Sequence, residues 1–422
     1  MSTPSLLNVP YRLKAGTLYS QIPETGLGDF AVTRSASNVA TRINSLGFIE
    51  TVADNVPRLD YPLGGAVNGC PALLVEPSAQ NQIQQSEDFT AAFHTKFNLN
   101  AFGSGSVANT TATRDPYGTN LADYIQENSV AGVVHGIIDI FAGNVSGTTY
   151  TWSVFAKAAE RTIINLFENS GSGGSATFNL TTGVATLNTG VSASMQNYGN
   201  GWWRCGLTYA SITTGNHNVQ IRLCDASGNA SYNGTGNQGA YIFGAQLETG
   251  SIATSYIRTT TAAITRGEDR ITKTGITSLI GQTEGAFYFE GEANFASSDL
   301  PMINRSVTNS VLLVKNASNQ LVVYVYYGGV FLPVFTTPSA ITGPFKVAVG
   351  YKQGSPGDTA VFVNGVQVGT TNTTSWAFTG ALTEVIVRAE GYLIGGKPYK
   401  VRALGVYPNR LSNSELATLT AP

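Results

Sequence analysis

Apolar and polar residues alternate with a period of two along much of this chain, the signature of half-buried β-strands. The run 148–157 puts Tyr150, Trp152, Val154 and Ala156 on one face and Thr149, Thr151, Ser153, Phe155 and Lys157 on the other. Similar pieces lie at 162–167, 176–180, 202–209, 218–224 and 240–247, with turn residues such as Thr182-Gly183 and Ser227-Gly228 between them. Strands at this spacing, without helical pattern between them, predict a two-sheet jelly roll over 86–269.

A second β-sandwich is predicted over 270–422, from strand-like runs at 287–295, 311–315, 321–327, 345–351, 360–363 and 366–368. Asn364-Gly365 joins the last two and is a strong type I′ hairpin signal, because both central residues need positive φ. Ser412 with Glu415 three residues on predicts a short closing helix with a capping box. Ahead of the sandwiches, 31–85 reads as a small β attachment segment punctuated by Pro57 and Pro62. Residues 1–30 read as an extended attachment arm, too poor in apolar surface to fold unless docked on something else. The stretch from Gly239 to Asp269 is the seam between the sandwiches: a last strand, a Gly-Ser turn, a Thr-rich run and a cluster of charge. The fold class is therefore all-β: an arm and small β segment followed by two β-sandwich domains.

Composition narrows the function classes. Only 12% of residues are charged, whereas 42% are hydrophobic and 47 are Gly, so the chain has material for real cores and a surface of hydroxyls, amides and backbone. Such surfaces suit packing against copies of the same chain or binding neutral ligands. A net charge of −2 supplies no field to attract nucleic acid or an anionic membrane surface. No apolar run approaches a membrane span, and no signal peptide opens the sequence. Cys70, Cys205 and Cys224 lack zinc-ligand spacing and are expected to be small buried apolar residues.

Catalytic chemistry finds little equipment. Gly234 to Gly239 matches G-x-G-x-x-G, but a strand follows it instead of a helix, so an interstrand loop is expected. His94, His135 and His217 are expected at the surface or in turns, and no nucleophile elbow occurs. Glu290 and Glu292 lie two apart on one strand, roughly 6.6–7 Å along it, a spacing that could suit an acid and a base. No third carboxylate follows; Asn294 stands there, so no catalytic residue is assigned and a depolymerase is only the runner-up reading. Aromatic platforms for sugar rings are better motivated, and Trp202, Trp203, Tyr232, Tyr241 and Trp376 are the candidates. Trp202 and Trp203 must point to opposite faces of their strand, one toward a core and one outward.

Three sets of phrases resemble known families. DFAVTRSASNVATRINSLGFIETVADNVPRLDY and PALLVEPSAQNQIQQSEDF are similar to a lead-in found in many bacteriophage virion proteins. GTTYTWSVFAKAAERT, GWWRCGLTYAS and YIFGAQLETGSIATSYIRTTTAAITRGED resemble the carbohydrate-binding-module-like jelly rolls of phage tail and fibre proteins. FKVAVGYKQG, TAVFVNGVQVGT and YKVRALGVYPNRLSNSELATLT are similar to the concanavalin A or laminin-G-like sandwich. The resemblance implies a non-enzymatic virion component of a tail, collar or fibre, assembled in the host cytoplasm. Its implied partners are other virion proteins through the arm, further copies of itself, commonly as a trimer, and a host-surface glycan. It implies no cofactor beyond the structural calcium that modules of both folds often hold, for which Asp225, Asp299 and Asp358 lie in loop-like stretches.

Overall fold

The computed structural model describes residues 2–35, 39–63, 69–169, 173–187, 190–304, 306, 308–332, 335–389 and 396–422. It is nearly all β, built as two sandwiches, with one α-helix among the described residues, Asn413–Thr420.

The first sandwich occupies the middle of the chain. Its six-stranded sheet runs, in spatial order, His94–Phe97, Gly136–Asn144, Gly215–Leu223, Ile163–Glu168, Ser175–Asn179 and Val184–Leu187. Its five-stranded sheet runs Asp123–Gln126, Gly239–Thr249, Thr149–Ala158, Trp202–Ala210 and Val191–Gly199. The alternation in Thr149–Ala158 works as expected: Tyr150, Trp152, Val154 and Ala156 enter one core with Leu166, Phe178, Leu207, Val219 and Ile221.

The second sandwich draws its strands from both ends of the chain. An eight-stranded sheet is centred on Glu284–Glu292 and Tyr399–Tyr407, and it also contains Leu6–Asn8, Arg58–Asp60 and Ala72–Val75. A ten-stranded sheet is centred on Glu384–Arg388 and Ser298–Ile303, and it contains Leu13–Lys14, Thr17–Leu18 and Phe30–Thr33. Leu6 pairs with Val406 and Val32 with Ile271. The arm is thus extended and docked, as an arm without its own core must be. Leu6, Leu18, Phe30, Leu73 and Val75 are buried in one cluster with Phe287, Val347, Val385 and Leu404. Most strands of 1–85 therefore complete the sheets of 270–422, and the jelly roll is an insertion between the two halves of that sandwich.

Local signals act where the sequence put them. Asn364 and Gly365 have φ of 48° and 81° and close the hairpin that pairs Val363 with Val366. Ser412 Oγ accepts from Glu415 N while the Glu415 carboxylate accepts from Ser412 N, completing the capping box. The helix lays Leu416 against Ala348, Ala360 and Phe362, closing the outer face of the eight-stranded sheet.

The hairpin of Ala40–Ile43 and Ile49–Val52 does not join the second sandwich. Ile43 and Ile49 instead cover Phe155, Trp202, Phe243 and Tyr256 on the outer face of the five-stranded sheet. Residues ahead of the insertion therefore clasp it from outside.

Candidate functional site

Three places in the molecule concentrate chemistry: the seam between the sandwiches, the aromatic positions, and the outer face of the six-stranded sheet.

The seam is a buried charge network. Arg58, fully buried, donates through Nη1 to Glu76 Oε2 at 2.7 Å, to Ser255 Oγ at 2.8 Å and to Thr41 O at 3.0 Å, and through Nη2 to Asp269. Arg34 Nη1 donates to the other oxygen of Asp269 at 2.9 Å, and Arg266 lies 3.4 Å from Glu76. Glu76 also accepts from Ser255 N at 2.8 Å. Burial alone would raise the Glu76 carboxyl; Arg266 and Arg58 overcome it and hold the group at about 2. Removing either partner from such a pair leaves an uncompensated buried charge, so this is architecture, not a reactive centre. The residues involved stand in the phrases TRS, PRLDY, LLVE and TRGED. These phrases thus meet at the weld between the sandwiches; residues 36–38, next to Arg34 and Ser35, lie outside the described residues.

The predicted aromatic platforms are mostly core. Trp202 is 1% exposed beneath the Ile43–Ile49 hairpin, where its Nε1 donates to Arg114 O at 2.7 Å. Trp376 is 4% exposed in the core of the second sandwich. Tyr232 is 7% exposed, and its hydroxyl donates to Glu127 Oε2 at 2.6 Å. Glu127 is itself gripped by Arg161 at 2.7 and 2.8 Å. Trp202 and Trp203 do take opposite faces, but the expectation that one is outward fails because the hairpin covers the outer face. Trp203 is half-buried at the edge of the jelly-roll core, with its ring over Gly183, whose φ of 73° and lack of a Cβ make room for it. Tyr241 is half-buried beside Tyr124, ring centroids 5.4 Å apart, and Tyr124 donates to Glu160 at 2.6 Å. Trp202, Tyr232 and Trp376 therefore cannot stack on a sugar; the other two are the remaining aromatic candidates.

Other expected residues are placed as follows. All three histidines are buried, contrary to expectation, because each ring finds a polar partner inside the jelly roll. His94 pairs with Asp139 at 2.5 Å, His135 with Asn98 O at 2.6 Å and His217 with Tyr209 Oη at 2.7 Å. Cys205 and Cys224 are buried and Cys70 is exposed. Glu290 accepts from Tyr288 Oη at 3.0 Å and Glu292 from Asn294 at 2.6 Å, with a register shift between Glu290 and Gly291. Asp225 caps a turn by accepting from Ser227 N and Asn229 N, buried Asp299 sits in strand Ser298–Ile303, and Asp358 pairs with Arg410. Among the described residues no group of three or more His, Cys, Asp or Glu could hold a metal ion.

The outer face of the six-stranded sheet presents a polar ladder that the sequence did not announce. On Gly215–Leu223 the residues Val219, Ile221 and Leu223 enter the core, so Asn218, Gln220 and Arg222 face out. Arg222 Nε donates to Gln220 Oε1 at 2.8 Å, and Gln220 Nε2 donates to Asn218 Oδ1 at 2.8 Å. The Arg222 guanidinium stacks over Phe167 at 3.7 Å from its centroid, and burial lowers its pKa to about 10. Directly across the ladder from Arg222 is Asn165. Asn165 is 5% exposed; its Nδ2 donates to Thr177 Oγ1 at 3.2 Å, and its Oδ1 has no partner among the described residues. A free acceptor and a guanidinium with Nη donors uncommitted among the described residues thus sit side by side. Asn165 Oδ1 is sealed from solvent, so of the two it is half-buried Arg222 that can donate to a ligand hydroxyl.

No family model matches the chain, and no curated protein matches it. Solved structures similar to it include domain 4 of AbnA, a GH43 extracellular arabinanase from Geobacillus stearothermophilus, in complex with arabinotriose, at 13% identity over 36% of this chain and 73% of that one, TM-score 0.29. The mouse laminin alpha1 chain domains LG4-5 align at 11% identity over 72% and 96%, TM-score 0.22. The CBM22-1–CBM22-2 tandem of Xyn10C from Paenibacillus barcinonensis aligns at 9% identity over 78% and 98%, TM-score 0.24. TM-scores this low do not establish a shared fold, and these neighbours assign no ligand to this chain.

Proposed function

We propose that the chain is a non-enzymatic structural component of a tailed-bacteriophage virion, in a tail, collar or fibre assembly, which displays its jelly roll to bind host-surface glycan. The observation that supports glycan binding best is the outward polar ladder on Gly215–Leu223, where half-buried Arg222 keeps Nη donors uncommitted among the described residues and lies over the Phe167 ring. Its chemistry suits the vicinal hydroxyls of a neutral sugar, and the low charge of the chain suits the same class of ligand. The virion reading rests on the phage-like phrases, whose Arg34, Arg58 and Glu76 occupy the weld between the sandwiches. A chain whose buried Glu76 and Asp269 are spent on architecture, and whose Glu290 and Glu292 are each engaged by a neighbouring side chain, favours contact over bond-breaking. Homo-oligomerisation, as a trimer, belongs to the same proposal.

Gold-labelled antibody against the purified chain is expected to decorate tail structures on virions of the encoding phage. Unlabelled particles would overturn the virion reading. On a glycan array, Asn165→Ala with Arg222→Ala is expected to lose the signals of the parent; an unchanged profile would remove the sheet face as the site. Shortening of host polysaccharide that Glu290→Gln abolishes would overturn the non-enzymatic reading.

A further inference from the structure

A cleft of about 230 Å³ opens where the two sandwiches meet. Its walls come from four parts of the chain: the 40–52 hairpin, residues of 60–76, the outer side of the jelly roll with residues 252–256, and the end of Glu284–Glu292 with residues 294, 295 and 398–400. It therefore exists only when both sandwiches are folded and joined, and neither contains it alone. Ligand sites favour such junctions.

The lining sets the kind of occupant. Three cations, Arg42, Arg204 and Lys400, face three anions, Asp60, Glu76 and Glu292, so the cleft selects no net charge. Lys400 Nζ lies 2.7 Å from Asp60 Oδ2, and Arg42 pairs with Glu50 at 3.1 Å, which holds these heads in place without exhausting their donors. The Gln196 carboxamide, exposed on Val191–Gly199, makes no hydrogen bond within the described residues. Among these polar groups Tyr198, Phe295 and Leu63 also line the cleft. Donors and acceptors together with apolar and aromatic side chains match a pyranose ring, which carries hydroxyls at its edge and C–H groups on its faces. The volume is below the ~300–1,000 Å³ of sites for drug-sized ligands, which limits the occupant to one or two rings.

From this geometry we infer that the inter-sandwich cleft is a second saccharide site, which takes an uncharged mono- or disaccharide end independently of the Asn165–Arg222 face. The inference rests on the glycan-binding reading but not on the sheet-face site. Two sites on one chain can engage separate ends of a polysaccharide, which gives avidity beyond either contact.

The test is titration calorimetry of the full chain with D-glucose, D-galactose, D-mannose and N-acetyl-D-glucosamine and their 1,4-linked disaccharides, against two variants. Gln196→Trp plugs the cleft from an exposed position, with Gln196→Ala as the second variant should the first not fold. Asn165→Ala with Arg222→Ala removes the sheet face. The expected result is two equivalents bound by the parent and one by each variant, with the cleft affinity falling at least tenfold on plugging. One equivalent abolished only by the sheet-face variant overturns the cleft and leaves the sheet-face reading standing. One equivalent abolished only by plugging supports the cleft and removes the sheet face. No heat from any of these sugars overturns both.

Discussion

Replacing Arg58 with Met tests whether the seam joins the sandwiches. Arg58 is fully buried and is the one side chain here that donates to both Glu76 and Asp269. Met matches its stem but provides no donor, so Ser255 Oγ and Thr41 O also lose a partner. Glu76 keeps Arg266 and Asp269 keeps Arg34, which moderates the loss. Breaking a buried pair from one side costs about 3–5 kcal/mol, and that is the expected destabilisation. Arg58→Lys keeps the charge but cannot fork between two carboxylates, and is expected to lose about half as much. Three of the four tryptophans, Trp152, Trp202 and Trp203, lie in the jelly roll, so a Trp376→Phe background makes fluorescence report that sandwich alone. Urea unfolding of Arg58→Met in that background, followed by fluorescence and by far-UV circular dichroism, is expected to separate the two transitions. Coincident transitions with a loss below about 1 kcal/mol would refute the idea that these charges weld the sandwiches.

Glu76, held at about 2 in the folded chain against an ordinary 4.5, contributes roughly 3 kcal/mol that is fully present above pH 4.5 and lost as pH falls toward 2; urea midpoints measured across that window are expected to fall more steeply in the parent than in Glu76→Gln. Trp202→Ala removes a ring clamped between hairpin and sheet and is expected to cost about 3–5 kcal/mol, read by chemical denaturation; a loss under 1 kcal/mol would mean the hairpin does not cover it. Arg222→Ala is expected to remove the sheet-face saccharide signal on a glycan array, because it deletes the uncommitted Nη donors and the stack on Phe167, and an unchanged signal would refute that role. Leu6→Ala is expected to destabilise the second sandwich by about 2–5 kcal/mol and to leave jelly-roll fluorescence in place, since Leu6 packs only in the other core.

Features written in neighbouring residues were legible, and those made by distant partners were not. Asn364-Gly365 and Ser412 with Glu415 carry their geometry in their own backbone needs, so turn and cap follow directly. The alternation around Trp152 identifies a core face because every second residue is apolar. For Trp202 the same rule gives the face but not what covers it, and the cover comes from a hairpin some 150 positions earlier. The buried histidines and Arg34, Arg58 and Arg266 defeat composition-based reasoning for the same reason: a charged side chain can be interior only where the fold delivers its partner. Gln220, Arg222 and Phe167 are ordinary strand residues in sequence, and only the pairing of their strands brings the guanidinium over the ring.

The insertion raises the question of what makes the two sandwiches one body. Ser5 and Val406 are 401 positions apart yet hydrogen-bonded, so the second sandwich cannot close until the strand that carries Val406 is in place. The jelly roll needs only its own contiguous strands, and folding it brings Asn81 beside Ile264. That short-circuits 183 of the 400 positions between Leu6 and Val406, counted as 264 − 81 and 406 − 6, and roughly halves the loop to be closed. Halving a loop saves only about 0.6 kcal/mol of closure entropy. The several kcal/mol assigned to a buried ion pair, and the apolar cover that Ile43 and Ile49 give Phe155 and Trp202, are each larger. Prior folding of the insertion therefore eases assembly, but the lasting connection is the packed and charged seam, and the cleft between the sandwiches keeps its shape only as long as that seam holds.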